Sequence, residues 1–173
     1  MMRSLPLSRR QANFAGVLGC AGLMAGALFF QYAMKLAPCN MCVLQRIAVI
    51  ELGLVFLVAT LHDPGRIGAR VYAALLMLAT LAAAALSARH VWMQMQPAGS
   101  LPSCGADFYT MLDMLPFHQV VARIWNGGGE CQAILWSLFG LSMPAWLLIV
   151  VPTLGLFGVA SNLVLARERP AIG

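Results

Sequence analysis

Four long apolar runs dominate the chain, and each is about as long as a membrane span. They cover residues 11–34, 43–61, 71–88 and 144–165. Crossing the hydrocarbon core takes about 20 apolar residues in a helix. Only the second run contains charges, Arg46 and Glu51. The pattern predicts an all-α fold, in which a four-helix transmembrane bundle forms one integral membrane domain over residues 1–173.

A finer helical pattern lies between the third and fourth runs. Apolar residues recur every three or four positions on both sides of Pro116: Phe108, Met111, Leu112 and Leu115, then Phe117, Val120, Val121 and Ile124. This spacing places them on one face of a helix. We therefore expect two short amphipathic helices in the membrane interface, with Trp125 as an anchor in the headgroup region.

Composition agrees with a membrane protein and excludes two other classes. Hydrophobic residues make up 61% of the chain and charged residues 10%. Soluble domains carry about 25% charged residues, and disordered chains are poor in apolar ones. The net charge of +5 comes from basic residues that are scattered singly, so we expect no nucleic-acid partner.

A signal peptide is the alternative interpretation of the first run. Signal sequences have an apolar core of about 7–15 residues followed by a cleavage site with small residues. The run at 11–34 is longer and lacks a convincing site of that kind. We therefore expect a retained helix.

The distribution of arginine predicts the orientation. Loops rich in Lys and Arg stay in the cytoplasm. The terminal segments and the second connection hold most of them: Arg3, Arg9, Arg10, Arg66, Arg70, Arg167 and Arg169. We expect both termini in the cytoplasm, four passes through the membrane, and loops 35–42 and 89–143 on the outer side, such as the periplasm outside a bacterial inner membrane.

Four of the five cysteines fall in the two predicted periplasmic loops. Cys39 and Cys42 lie in the first, and Cys104 and Cys131 lie in the second. An oxidising compartment permits disulfides, so two pairs are plausible there. Cys20 lies within the first run, where a small buried hydrophobe is the simplest interpretation.

Three chemistries could use these cysteines. A zinc site is disfavoured because the second pair is not C-x-x-C and no histidine is close in sequence, so we expect no metal. Two inert structural disulfides remain an alternative. However, a C-x-x-C bridge closes a very small ring and adds little chain-entropy stabilisation. The C-x-x-C spacing is typical of reactive thiols.

The surroundings of the cysteines favour redox chemistry. Cys42 stands at the start of the second predicted helix, where unpaired N–H groups stabilise a thiolate. Arg46 is four residues further and so shares the face of Cys42. A snorkelling Arg46 that only anchors the helix is the alternative. Residues 126–129, Asn-Gly-Gly-Gly, predict a flexible segment before Cys131.

Together these features resemble the DsbB family of membrane thiol:quinone oxidoreductases. The resemblance rests on four spans, the P-C-x-x-C-x-x-x-R motif at 38–46 and the neighbourhood of His90. It continues through Cys104, the glycines before Cys131 and the stretch at 138–146. It implies that the protein reoxidises a periplasmic DsbA-like thioredoxin-fold protein and passes the electrons to ubiquinone or menaquinone.

The resemblance also implies a role for each site residue. The pairs are Cys39–Cys42 and Cys104–Cys131. Cys104 forms the mixed disulfide with the partner, Cys131 attacks Cys39, and Cys42 passes electrons to the quinone beside Arg46. His90 lies near the quinone or orders the loop. Many family members have an acid before the arginine, where this chain has Gln45.

Two alternatives remain open at this stage. A four-helix enzyme similar to vitamin K epoxide reductase also joins outer cysteines to a quinone, but its quinone-facing C-x-x-C lies late in the chain. A membrane protein with only structural disulfides is the other. The sequence has neither a dinucleotide-binding glycine motif nor C-x-x-C-H, so a diffusible quinone is the obvious electron acceptor.

Overall fold

The computed structural model describes residues 8–168, with side chains to residue 165. This part of the chain contains six α-helices, one 3₁₀ turn and two short strands. In chain order they are α1 (Arg9–Tyr32), α2 (Asn40–His62), α3 (Arg66–Gln94), α4 (Phe108–Met114), α5 (Phe117–Asn126), the turn Gly129–Cys131, β1 (Ser137–Leu138), β2 (Leu141–Ser142) and α6 (Met143–Glu168).

The predicted all-α bundle is confirmed. Helices α1, α2, α3 and α6 are long and apolar enough to cross a membrane. All four extend past the predicted apolar runs at one or both ends, because helical hydrogen bonds do not require apolar side chains. Helix α2 begins at Asn40 and α3 continues to Gln94, which brings Cys42 and His90 into helices. Arg3 and Arg169, which count toward the predicted orientation, lie outside the described residues.

The four long helices pack in a ring, in the order α1, α2, α3, α6. Phe56 of α2 is fully buried in the middle of this bundle. A methyl group added at Gly16 of α1 would lie 2.5 Å from the Phe56 ring, and one at Gly158 of α6 would lie 2.4 Å from it. Glycines at these two positions let three helices approach one aromatic ring, as small residues do in membrane bundles.

Polar contacts fix the end of the bundle where the chain begins. The Ser8 hydroxyl caps α1 by accepting from the Gln11 N–H at 3.3 Å, and the Gln11 side chain accepts from the Ser8 N–H at 2.9 Å. Arg9 pairs with Asp63 at 3.3 Å, which ties α1 to the α2–α3 connection. Satisfied polar groups of this kind define helix ends because the first-turn N–H groups otherwise lack partners.

The predicted pair of short amphipathic helices is present as α4 and α5. Their apolar faces pack against the ends of α2 and α3, and this small second core also contains two cysteines: Met41, Leu44, Met93, Cys104, Phe108, Met111, Val120, Ile124 and Cys131. Arg89 of α3 fastens the end of α5. Its guanidinium donates to the Trp125 carbonyl at 2.7 and 3.1 Å.

A two-stranded hairpin precedes α6. Ser137 pairs with Ser142, and Leu138 pairs with Leu141. The two turn residues, Phe139 and Gly140, have φ of 52° and 79°. Positive φ at both positions gives the strand twist that tight hairpins need, although a bulky residue rarely adopts it. The Trp146 indole donates to the Leu138 carbonyl at 3.1 Å and joins the hairpin to α6.

Candidate redox site and apolar cavity

Cys39 lies at the centre of a cluster of thiols at the start of α2. It is the N-cap residue of that helix, and its sulfur lies 3.1 Å from the Cys42 sulfur, one turn along. The His90 Nε2 atom, on α3, is 3.7 Å from the same sulfur. Cys39 and Cys42 are half-buried, whereas His90 is buried. The structure thus brings the C-x-x-C pair and His90 together.

Cys131 reaches the same cluster from the outer loop. It packs in one cluster with Cys39 and Met41, and so comes close to the Cys39 thiol and to the first turn of α2. These contacts lower the pKa of Cys131, the one from Cys39 most strongly. The nearby Cys131 thiol, followed by that of Cys42, raises the pKa of Cys39. The unpaired N–H groups at the start of α2 therefore add to the stabilisation of a thiolate at Cys131. The sequence predicts the same effect at Cys42.

Cys104 is enclosed beside Cys131, with 1% of its surface exposed. The Glu130 carboxylate accepts from the Cys104 backbone N–H at 3.2 Å and from the Ser103 hydroxyl. These contacts, which we call the Glu130 clip, hold residues 103–104 against Glu130, the residue before Cys131. Burial raises the pKa of the Cys104 thiol, and the negative charge of Glu130 adds to the effect.

The glycines before Cys131 fit a crowded path. A methyl group at Gly127 would lie 3.2 Å from the Cys104 sulfur, and one at Gly128, where φ is +115°, would lie 2.7 Å from the Met93 sulfur. One at Gly129 would lie 2.9 Å from the Leu101 carbonyl. Close approach of the backbone is thus one physical reason for this glycine run, alongside the predicted flexibility.

His90 belongs to a buried chain of hydrogen bonds between α2 and α3. The Ser87 hydroxyl donates to the Ala83 carbonyl at 2.9 Å, and the Gln45 amide nitrogen donates to Ser87 at 3.3 Å. The Gln45 carbonyl oxygen is then left to accept from His90 Nδ1 at 3.2 Å. In a neutral imidazole this arrangement leaves the lone pair on Nε2, the atom that faces Cys39.

Cys42 and Arg46 line an apolar cavity of about 380 Å³ between α1, α2 and α6. Other lining residues are Phe30 of α1, Leu36 and Pro38 of the α1–α2 connection, Val49 of α2, Trp136 and Leu138 at the hairpin, and Met143 and Leu147 of α6. Small-molecule sites are typically about 300–1,000 Å³ and mostly apolar, with few polar groups. The described lining residues do not include His90.

The polar contacts of Arg46 and Gln45 diverge. The Arg46 guanidinium donates to the Ala27 carbonyl at 3.1 Å and to the Gln31 side chain, both on α1. Gln45 bonds to His90 and Ser87 on α3. Gln45 thus hydrogen-bonds to the histidine on α3, while Arg46 is held at the cavity wall by α1.

Comparison with known proteins decides between the families considered above. The profile of the family described as "Disulfide bond formation protein DsbB" matches residues 9–161. The chain belongs to the DsbB family. A relative from Methylobacillus flagellatus, named "Disulfide bond formation protein B", is 42% identical over 150 residues, which cover 87% of this chain and 90% of that protein.

Two further relatives with the same name support this membership. The Stutzerimonas stutzeri protein is 43% identical over 153 residues, covering 88% of this chain and 91% of its own length. The Chromohalobacter salexigens protein is 40% identical over 171 residues, covering 97% and 99%. This DsbB-family chain is therefore a membrane disulfide bond formation protein, and neither of the two alternative classes applies.

Sequence reasoning missed several residues of the cavity in this DsbB-family chain. Phe30 and Trp136 have rings 4.8 Å apart at its wall, and each sits in an apolar stretch that looks like any other. Gly22 and Gly26 fit a helix-contact motif, yet both line the cavity. Apart from the backbone of α1 itself and the two chain neighbours of each glycine, no described heavy atom lies within 4 Å of where their Cβ atoms would be.

Proposed function

We propose that this protein reoxidises a DsbA-like periplasmic dithiol protein and passes the electrons to a membrane quinone bound in the cavity. One observation supports this most directly: Cys42 lines the cavity, while its neighbour Cys39 packs in one cluster with Cys131 of the outer loop. The C-x-x-C pair thus touches the loop on one side and an apolar site on the other.

The transfer from the partner balances as a series of thiol–disulfide exchanges. A partner thiolate attacks the Cys104–Cys131 disulfide at Cys104, and Cys131 leaves as a thiolate. Cys131 then attacks the Cys39–Cys42 disulfide at Cys39, and Cys42 leaves. The second partner thiol releases the oxidised partner from Cys104. The freed Cys104 attacks Cys131, which restores their disulfide and leaves Cys39 and Cys42 reduced.

The cavity residues fit a quinone. Apolar and aromatic side chains surround it, and Arg46 supplies N–H donors that suit a ring carbonyl. When bound, a quinone accepts the two electrons and two protons of the Cys39–Cys42 dithiol. Arg46 stabilises the Cys42 thiolate and orients the acceptor, while α1 holds the guanidinium through Ala27 and Gln31.

His90 is not among the described residues that line the cavity in which we propose that the quinone binds. Its ring contacts the Cys39 sulfur, and its helix α3 contacts the turn that holds Cys131. We therefore favour the second of its expected roles, ordering the loop. His90 holds the outer loop and α2 so that the Cys131 sulfur stays beside Cys39.

Turnover of purified protein tests the proposal. With a reduced thioredoxin-fold partner and a short-chain ubiquinone or menaquinone, quinone absorbance should fall as quinol forms. Cys42→Ser should abolish this turnover, and Cys20→Ser, in the bundle interior, should retain it. Quinone reduction by Cys42→Ser at the wild-type rate would exclude this electron path.

Arg46→Ala separates quinone binding from helix anchoring. Loss of a charged donor at a ligand carbonyl costs about 1.5–3 kcal/mol, so we expect KM for quinone to rise about 10-fold or more. The matched control is Arg70→Ala, on an exposed position of α3. An unchanged KM in Arg46→Ala would assign this arginine to anchoring.

A further inference from the structure

Three metal-binding atoms converge at the start of α2. They are the sulfurs of Cys39 and Cys42 and the Nε2 atom of His90, all within 4.8 Å of one another. The sequence concealed this group because His90 comes from α3, 51 positions from Cys39. It differs from a four-cysteine zinc site, since it needs neither Cys104 nor Cys131.

The spacing of these atoms suits a tetrahedral ion. Zn²⁺ binds thiolate sulfur at about 2.3 Å and imidazole nitrogen at about 2.0–2.1 Å, so neighbouring ligand atoms stand about 3.5–3.8 Å apart. The sulfurs are 3.1 Å apart, and Cys39 lies 3.7 Å from His90 Nε2. To admit the ion, the two sulfurs must separate by less than 1 Å, and the Cys42 sulfur and His90 Nε2, which lie within 4.8 Å of each other, must reach the same spacing.

The buried hydrogen bonds orient His90 as a metal ligand needs. A metal-binding histidine normally donates its other ring N–H to a carbonyl or carboxylate, which fixes the tautomer. Here Nδ1 donates to the Gln45 carbonyl oxygen, and Gln45 is itself fixed by Ser87. The lone pair on Nε2 faces the sulfurs before any ion arrives.

We propose that the reduced Cys39–Cys42 dithiol and His90 bind a thiophilic divalent cation of the Zn²⁺ type, with a fourth position open, and that this ion blocks turnover. Binding displaces the two thiol protons and changes no oxidation state. Sulfurs bound to the ion cannot form a disulfide, so turnover stops. Because no oxidation state changes, a chelator that removes the ion restores turnover. The oxidised pair has no thiolate to offer.

Direct binding tests the site without reference to turnover. The full chain in detergent is reduced with dithiothreitol, freed of reductant under anaerobic conditions and titrated with Co²⁺ as the probe. We expect one Co²⁺ per chain, with thiolate charge-transfer and tetrahedral d–d absorption that equimolar Zn²⁺ abolishes. Air-oxidised protein should show neither band. Equal bands in both forms, or none in the reduced form, would refute the site.

Variants identify the ligands. Cys42→Ser should abolish the charge-transfer band, and His90→Ala should weaken Co²⁺ binding at least 10-fold. Gln45→Leu should weaken it by about 10–100-fold through loss of the support to His90. Cys20→Ser, a buried thiol on α1, and Cys104→Ser should bind as the wild type does. Wild-type affinity in His90→Ala would overturn the proposal.

A second measurement covers variants that do not fold. In the wild type, Zn²⁺ should raise Tm of the reduced form and leave Tm of the oxidised form unchanged, because only the reduced fold binds the ion. A rise in both forms, or in neither, would count against the site.

Inhibition rests additionally on the proposed function. In the quinone assay, micromolar Zn²⁺ should stop turnover and EDTA should restore it. Full turnover in the presence of the bound ion would refute the inhibition, but it would not refute the metal site itself. A protein that reduces no quinone even in metal-free buffer would instead refute the proposed function.

Discussion

At the level of single residues, Glu130 controls the surroundings of Cys104. Its carboxylate accepts from Ser103 and from the Cys104 N–H, and its charge is one reason why the pKa of Cys104 is raised. A thiol with a raised pKa is a poor nucleophile at neutral pH, because few molecules hold the thiolate. Burial, together with the charge of Glu130, therefore makes reduced Cys104 a slower nucleophile than an ordinary exposed thiol.

Glu130→Gln should therefore activate Cys104. Removing the charge lowers the pKa of Cys104, so more thiolate exists at pH 7 and the clip is weaker. In reduced protein, iodoacetamide should label Cys104 several-fold faster, as measured by mass spectrometry of the peptide. The part of the rate difference that comes from the charge should vanish at a pH above the pKa of Cys104 in both the wild type and the variant. Asp113→Asn, which removes an exposed acid from α4, should label at the wild-type rate.

At the level of helices, the absence of side chains on one face of α1 creates space for a ligand. Gly22 and Gly26 lie one turn apart and both border the cavity that Cys42 and Arg46 line. Small residues at this spacing commonly mark a helix–helix contact. Here the contact with α6 is made elsewhere on α1, and the glycines enlarge the cavity instead.

Filling this space should weaken quinone binding. Gly26→Val places two methyl groups at the cavity wall, so we expect KM for quinone to rise several-fold. Turnover at saturating quinone should change less, because the cysteines and Arg46 keep their positions. The matched control is Ala25→Val on the exposed face of α1. An equal rise in KM for both variants would indicate a general effect of valine on the helix.

The sequence predicts helices well and contacts between them less well. The pairing of Cys42 with Arg46 follows from helical spacing alone, and both line one cavity. The contact between His90 and Cys39 depends on how α3 rotates against α2, which no local pattern records. The hairpin is equally hidden, because two-residue strands have no periodicity and Phe139 at positive φ goes against its own preference.

At the level of the whole molecule, the site joins two differently built layers. The bundle supplies the cavity, Arg46 and the C-x-x-C pair, while the small outer core holds Cys104 and Cys131. Four long helices place the two ends of the described chain on the same side of the bundle. The outer layer and the hairpin lie at the opposite side, and the arginine distribution predicts that this side faces the periplasm.

Reporter fusions test that orientation. Alkaline phosphatase is active only in the periplasm, so a fusion after Gly99, between α3 and α4, should be active. The same enzyme fused to the C-terminus should be inactive, and green fluorescent protein at that position should fluoresce. The reverse pattern would place the cysteines in the cytoplasm, where glutathione keeps thiols reduced.

Enclosure of Cys104 has a consequence for the cell. In the electron path proposed above, the Cys104–Cys131 disulfide would be reduced by any thiol that reached it, which would waste oxidising power. With the Glu130 clip shut, the entrance of this path is closed to thiols in free solution. We expect that a folded partner protein reaches Cys104 by binding to this clipped segment and displacing it, whereas glutathione is too small to bind it in this way. The outer loop would thus itself protect this disulfide from reduction by small thiols.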